Sequence, residues 1–376
     1  MRCGLVLVCV LGVATAAAQD SHLEALSKTV LALRAQGEMR EVTVAKHQVR
    51  DWVEARLASF LEKGDTARLV DYFRAGIAKA GLFCDDDSDC TPTALGFLDE
   101  IEVNREQGFL IVRTAVGTGI RCGYDYSAYV YEWKGNRWQR FWENEQDDYA
   151  KDAYRPQTLH SVHISEADRD GARLILTLGT PTGCHGAFVP VYYRVWRTGT
   201  AAPILVLDRS EILNDEGEPP VIGRVTADDL LIEFSAGGTG YGFTHKALRH
   251  FEIHGAGVTQ TDPIAPTARD FVEEWLAAPW VESAGRAESA GLRDWHAKLH
   301  REDGQGDYPE PALGCGDPSL VEIATHFEDA PKRYFLVRKM QPLHFRMVGI
   351  GEKPFADCTV ADPAADVEPS LLPANR

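Results

Sequence analysis

The hairpin around Gly135-Asn136 gathers the side chains best suited to holding a ligand. Gly-Asn at a two-residue turn pairs Trp133 with Trp138, Tyr131 with Arg140, and Tyr129 with Trp142. Those six side chains then share one face of a sheet, because successive residues of a strand point to opposite sides. An aromatic stripe carrying an arginine can stack sugar rings or a peptide through CH–π and cation–π contacts. The same stripe also suits packing on a second layer, with Arg140 reaching out at the rim. The opposite face, with Ala128, Val130 and Phe141, is then the competing core face.

A second constellation is Cys84-Asp85-Asp86-Asp87-Ser88-Asp89-Cys90. Asp85, Asp87 and Asp89 stand at alternate positions, the spacing with which an acidic loop offers oxygen ligands to calcium. The mid-loop glycine of an EF-hand is missing, and Gly96 stands where its bidentate glutamate belongs. The competing reading is a small disulfide loop bearing solvated charge.

Histidines supply weaker candidates. His296 and His300 lie at i and i+4 on an expected helix and could share a zinc ion, but Ala297 occupies the place of a metalloprotease's general base. His250 and His254 share one face of a strand without a third ligand. His185 sits in a Gly/Thr loop beside Cys184, where a rigid turn can present an imidazole for proton transfer, with His163 or Asp170 as distant partners. No Gly-x-Ser-x-Gly elbow, Walker phosphate loop or Gly-x-Gly-x-x-Gly turn occurs, which disfavours serine esterases, P-loop NTPases and Rossmann dehydrogenases. Glycosidases escape this exclusion because their paired carboxylates have no short signature.

The elements that position these residues follow from periodicity. Ser21-His22-Leu23-Glu24 is a capping box opening a helix that ends at Gly37. A second helix carries Val49, Trp52, Val53, Leu57, Phe60 and Leu61 and stops at Gly64; Asp65 caps a third, with Leu69, Val70, Phe73 and Ile77 on one stripe. Alternation then replaces the helical period, and three units recur at a spacing of roughly sixty residues. Their apolar second strands are 109–112, 174–177 and 230–234, each followed by a Gly/Thr-rich loop and a closing strand. Beyond Pro263 and Pro266, Thr267 caps a helix, a second helix spans Leu292 and Leu299, and three strands follow.

The fold class is therefore α+β, with N-terminal helices, a central antiparallel β-repeat body (propeller-like or sandwich-like), and C-terminal helices plus strands. The expected divisions are a signal peptide over 1–18, a helical segment over 19–95, a β-repeat domain over 96–262, an α+β unit over 263–358 and a loose tail over 359–376. Arg2, the apolar run from Leu5 to Leu11 and Ala16-Ala17-Ala18 predict cleavage before Gln19. Removal of that segment takes Cys3 and Cys9 with it and leaves six of the eight cysteines. An even number in an exported chain predicts disulfides, assigned here as Cys84–Cys90, Cys122–Cys184 and Cys315–Cys358. With no cysteine left over, a thiol nucleophile is disfavoured.

The formal charge of −17 argues against nucleic-acid or polybasic membrane partners, and no later apolar run is long enough for membrane insertion. Residues 19–80 are almost neutral, so the acidity lies beyond them. These features predict an exported, periplasmic or secreted protein of bacterial type, binding an unidentified protein or carbohydrate as a non-catalytic scaffold. No cofactor is expected apart from calcium in the Asp85 loop. The alternatives are an exported hydrolase using loop His and carboxylate residues, and a calcium-stabilised structural module.

Overall fold

Val42, Ala45, Val49, Trp52, Val53 and Leu57 recur every three or four residues, which places them on one side of a helix, and all six are buried. The computed structural model describes residues 21–29, 40–79, 98–117, 124–145, 157–181, 188–199, 202–214, 221–237, 244–261, 265–299, 310–327 and 330–362. The chain divides into two compact units, Met1–Ile164 with Gly179–Cys184, and Ser165–Leu178 with His185–Arg376.

In the first unit, helix α1 is described over residues 21–29. It is followed by α2 (Arg40–Leu57), α3 (Thr66–Lys79), β1 (Leu98–Glu106), β2 (Phe109–Gly117), β3 (Tyr124–Lys134), β4 (Arg137–Asn144) and β5 (Gln157–Ile164). Strands β1 to β4 form an antiparallel meander in chain order. Leu69, Phe73 and Ile77 of α3 join the α2 stripe against Ile101, Val103, Leu110, Val112, Tyr129 and Tyr131 of the sheet. Helices and strands build this core together. Gly76 permits the close approach of the two helices, since a Cβ there would lie 2.9 Å from the Trp52 ring. Asp65 caps α3 as its sequence predicts, accepting from the Ala67 amide at 2.9 Å.

Docking α2 on the sheet also buries charge. Lys46 Nζ donates to Asp125 Oδ2 of β3 at 2.7 Å, with the two side chains 0% and 2% exposed. Such a pair is tolerable in a dry interior only while both members are present.

The second unit takes in β6 (Leu174–Pro181) as far as Leu178, then β7 (Phe188–Arg197), β8 (Ile204–Asn214), β9 (Val221–Val225), β10 (Asp229–Gly237), β11 (Thr244–His254) and β12 (Gly257–Gln260). They are hydrogen-bonded in the order β12-β11-β10-β8-β7-β6, with β9 pairing on β10. Helices α4 (Ala268–Ala277), α5 (Trp280–Ser283) and α6 (Leu292–Leu299) precede a second sheet. Its strands are β13 (Leu313–Cys315), β14 (Leu320–Phe327), β15 (Ala330–Gln341), β16 (His344–Gly351) and β17 (Cys358–Ala361), in the order β16-β15-β14-β13-β17. Phe271, Trp275, Leu292 and Leu299 of the helices pack on Val321, Ile323, Phe335, Val337 and Met347.

The chain is thus α+β with antiparallel sheets, and no closed barrel is formed among the described residues. The β-rich repeat is present: the three apolar runs fall on β2, β6 and β10, each with its closing strand, β3, β7 and β11, as an antiparallel or adjacent neighbour. The Cys315–Cys358 disulfide is formed and joins directly opposite residues of β13 and β17. Cys84, Cys90, Cys122 and Cys184 lie outside the described residues.

Lys46→Met leaves the Asp125 carboxylate buried without its cation and should cost about 3 kcal/mol or more in urea unfolding. Combining it with Asp125→Leu should recover most of that loss, because no buried charge then remains.

Candidate functional site

The Gly135-Asn136 turn forms as its sequence requires, both residues having φ of 59°. Trp133 lies opposite Trp138 and Tyr131 opposite Arg140, as expected. Beyond them the register shifts: Val130 faces Trp142, and Tyr129 faces Glu143. The bulge takes Phe141 out of the pairing and moves Trp142 to the face of Val130 and Ala128, so the six side chains do not form one stripe. Tyr129, Tyr131, Trp138 and Trp142 are all buried, the first three in the core under α2 and α3. Trp133 is half-buried against the same core, and Arg140 pairs with Glu54 at 3.1 Å and Glu143 at 3.2 Å. Tyr129, Tyr131 and Trp138 thus lie beneath two helices and not on an open face.

Tyr129 also shows what its hydroxyl does there. It donates to Glu145 Oε1 at 2.6 Å, while Arg50 Nη1 of α2 donates to Glu145 Oε2 at 2.6 Å. Burial, followed by the Glu145 charge, holds the phenol well above its ordinary pKa. The group is a structural donor, not a poised base.

The other candidates separate into those with structural partners and those outside the described residues. His296 is buried, and its Nε2 lies 3.1 Å from the Trp275 carbonyl and 3.0 Å from that of Ala278. Carbonyls only accept, so Nε2 carries the proton and is turned away from metal binding. His300 lies outside the described residues. His250 bonds Asp229 through Nε2 and Thr261 Oγ1 through Nδ1 at 2.8 Å, so both nitrogens are taken. His254 is exposed, 3.6 Å from Glu252. His163 pairs with Glu106 at 3.5 Å, and Asp170 lies 3.7 Å from Arg197. Asp85, Asp87, Asp89 and His185 fall outside the described residues. Among those described, no group of three or more His, Cys, Asp or Glu side chains could hold a metal ion.

The densest cluster of acid and base groups lies in the second unit, where α4 meets β7, β8 and β11. His245 and Arg249 are four apart on β11, hence on one face. On α4, Glu274 follows Phe271 and Val272 and precedes Trp275 and Leu276, a carboxylate carried into the interface by its apolar neighbours. His245 Nε2 lies 2.8 Å from Glu274 Oε1, and Arg249 Nη1 is 3.2 Å from Glu274 Oε2. Arg249 continues to Glu211 of β8, through Nη2 at 2.6 Å and Nε at 2.8 Å. Tyr193 of β7 closes the chain, donating to Glu211 Oε1 at 2.5 Å. The His245, Glu274 and Arg249 side chains are 10%, 12% and 14% exposed, dry enough for their charges to act strongly on one another.

Burial opposes the charged imidazole of His245, but the Glu274 hydrogen bond and charge, helped by Glu273 and Asp270, outweigh it and raise the pKa. Burial likewise opposes the Glu274 carboxylate, yet Arg249 and then His245 bring it well below the ordinary range. Burial and the Glu211 charge push the Tyr193 phenol far up. With His245 protonated, two cations balance two anions. Asp270 extends the contact by accepting the Lys246 amide at 2.8 Å, and its own amide is capped by Thr267 at 3.2 Å. This arrangement fixes α4 to the sheet.

None of these five residues was singled out from the sequence. Their separations along the chain hide the cluster, although a Glu273-Glu274 pair inside the apolar run 271–276 is a signal that a carboxylate must find a buried partner. The first unit contains a different feature, also unmarked in the sequence: a cleft of about 380 Å³ lined by Arg56, Ser59, Phe60, Leu61, Gly64, Asp65, Arg68, Leu69 and Tyr72.

No protein-family model matches the chain, and no curated protein matches it. Among solved structures, one described as the crystal structure of polysaccharide lyase Uly1 aligns at 11% identity with a TM-score of 0.29, over 67% of this chain. The chain spans 57% of that protein's length. Similarity of this degree carries no argument about fold or activity.

The ion network makes stability depend on pH in a defined sense. His245 has a raised pKa in the fold, so its contribution is complete below about 6.5, the ordinary imidazole value, and is lost as pH rises through the raised one. Glu274 has a lowered pKa, so its contribution is complete above about 4.5 and is lost as pH falls toward the depressed value. Both contribute fully between about pH 4.5 and 6.5. Urea unfolding of the second unit should therefore show greater stability at pH 5.5 than at pH 9, approximately conditions on either side of the His245 transition. Glu274→Gln should cost about 3 kcal/mol or more at the lower pH and flatten the difference.

Proposed function

We propose that the protein is a non-catalytic binding or scaffold protein acting outside the cytoplasm. The observation that carries this reading is the use made of its acid and base groups: in the His245–Glu274–Arg249–Glu211–Tyr193 chain, charge is balanced and spent on joining a helix to three strands. A catalytic cluster faces a space where substrate can come within hydrogen-bond reach of its acid or base, whereas these groups are turned to one another at a packed interface. The repeated antiparallel strands provide a stiff frame, and binding is then a property of the loops and surfaces that frame presents. The export reading rests on the apolar N-terminal run and its small residues, and on an interior in which Cys315 and Cys358 are cross-linked.

The test is to probe the purified full chain on glycan and peptide arrays, then recover each retained ligand and determine its mass. Saturable retention with unchanged mass is the expected result. Hydrolysis, elimination or group transfer on a retained ligand would reject the non-catalytic reading. Cell fractionation of the expressing organism should place the chain in the periplasm or medium; recovery with cytoplasmic markers would reject the export part.

A further inference from the structure

The cleft in the first unit joins the end of α2 to the beginning of α3. Its walls are apolar: Phe60 packs on the core behind it, Leu69 is buried, and Leu61 stands 73% exposed at its edge. Exposing most of a leucine at a cavity costs hydrophobic stabilisation that a ligand would restore. Gly64 also lines the cleft, so close to Phe60 that an added Cβ would clash with its ring.

Two arginines turn this apolar space into a charged one. The Arg56 guanidinium lies 3.4 Å from the centre of the Tyr72 ring, a stacking that holds it flat along the wall. Arg68 also lines the cleft and is exposed. Neither arginine has a carboxylate partner among the described residues, in a chain whose formal charge is −17. Asp65, the one acid in the lining, is engaged at its Oδ1 by the Ala67 amide. Elsewhere in this unit arginines such as Arg50, Arg113 and Arg140 meet acids at 2.6 to 3.1 Å. Unmatched guanidiniums beside apolar walls favour a ligand that supplies both an anion and hydrocarbon.

We propose that this cleft binds a small amphipathic anion, a carboxylate carried on an alkyl or aromatic body, with Arg56 and Arg68 taking the carboxylate while Phe60, Leu61 and Leu69 cover the body. A cleft of about 380 Å³ is within the size range of small-molecule sites and too small for a folded partner. The inference builds on the binding-protein reading but adds a site and a ligand class that can fail separately.

Titration calorimetry with decanoate below its micelle concentration tests the site, with decyltrimethylammonium and decanol as probes of equal chain length. Decanoate should bind saturably, and both other probes at least about tenfold more weakly, a difference of about 1.4 kcal/mol. Arg68→Glu and Arg56→Gln should each weaken decanoate by about tenfold or more, Arg68→Lys should retain most of the affinity, and Leu61→Asp should abolish binding. Arg68 and Leu61 are exposed, so their variants should melt as the parent does. Equal binding of anion and cation, or decanoate affinity indifferent to Arg68→Glu in a folded variant, would overturn the proposal. So would binding to phosphatidylglycerol vesicles without binding to free decanoate, which assigns the surface to membranes. Chemical conversion of decanoate would instead reject the non-catalytic reading while leaving the site intact.

Discussion

A meander of four or five strands has one broad apolar face and cannot remain exposed in water. Helices alone are equally incomplete, because an isolated amphipathic helix has little stability until its stripe is covered. This mutual need organises both ends of the described chain. In the first unit α2 and α3 cover β1–β4, and in the second α4 to α6 cover the sheet from β13 to β17. The helices carry polar residues into the same dry layers, and each must then find a counterpart. Lys46 with Asp125 in one unit, and the Glu274 network in the other, are consequences of that docking.

Local geometry was legible in the sequence wherever a few adjacent residues decide it. Gly135-Asn136 declared a turn because both positions needed positive φ, and Thr267 declared a helix start because its hydroxyl had an amide three residues on to receive. The apolar runs of β2, β6 and β10 were visible for the same reason. What failed was continuity: one extra residue in β4 moved Trp142 from the expected partner of Tyr129 to that of Val130. No side chain near Phe141 announces a bulge, so alternation counted outward from the turn went out of phase. Exposure failed as well. Periodicity shows that Tyr129, Tyr131 and Trp138 share a face but cannot show that two helices lie over it.

The candidate site was harder still, because its members come together only through tertiary structure. His245 and Glu274 are 29 positions apart, Lys46 and Asp125 79. The sequence drew attention to histidines at short spacing, yet His296 serves two carbonyls and His250 serves Asp229 and Thr261. The cleft was equally hidden. Arg56 and Arg68 look like ordinary solvated helix residues until the engagement of Asp65 by the Ala67 amide and the presence of Tyr72 and Leu61 are seen together. Near neutrality of residues 19–80 was the only trace, a local enrichment of Lys and Arg in an acidic chain.

The bond between Cys315 and Cys358 has a mechanical consequence. It joins β13 to β17 across the sheet, 43 positions apart in the chain. Tension applied beyond residue 358 passes through sulfur into β13 and onward toward α6, so the intervening polypeptide, with β14, β15 and β16, lies off the load path. Those strands can be extended by such tension only after the covalent link is cut. The closing sheet is thereby protected as a knot of slack chain would be, held in reserve behind a crosslink that does not lengthen under force.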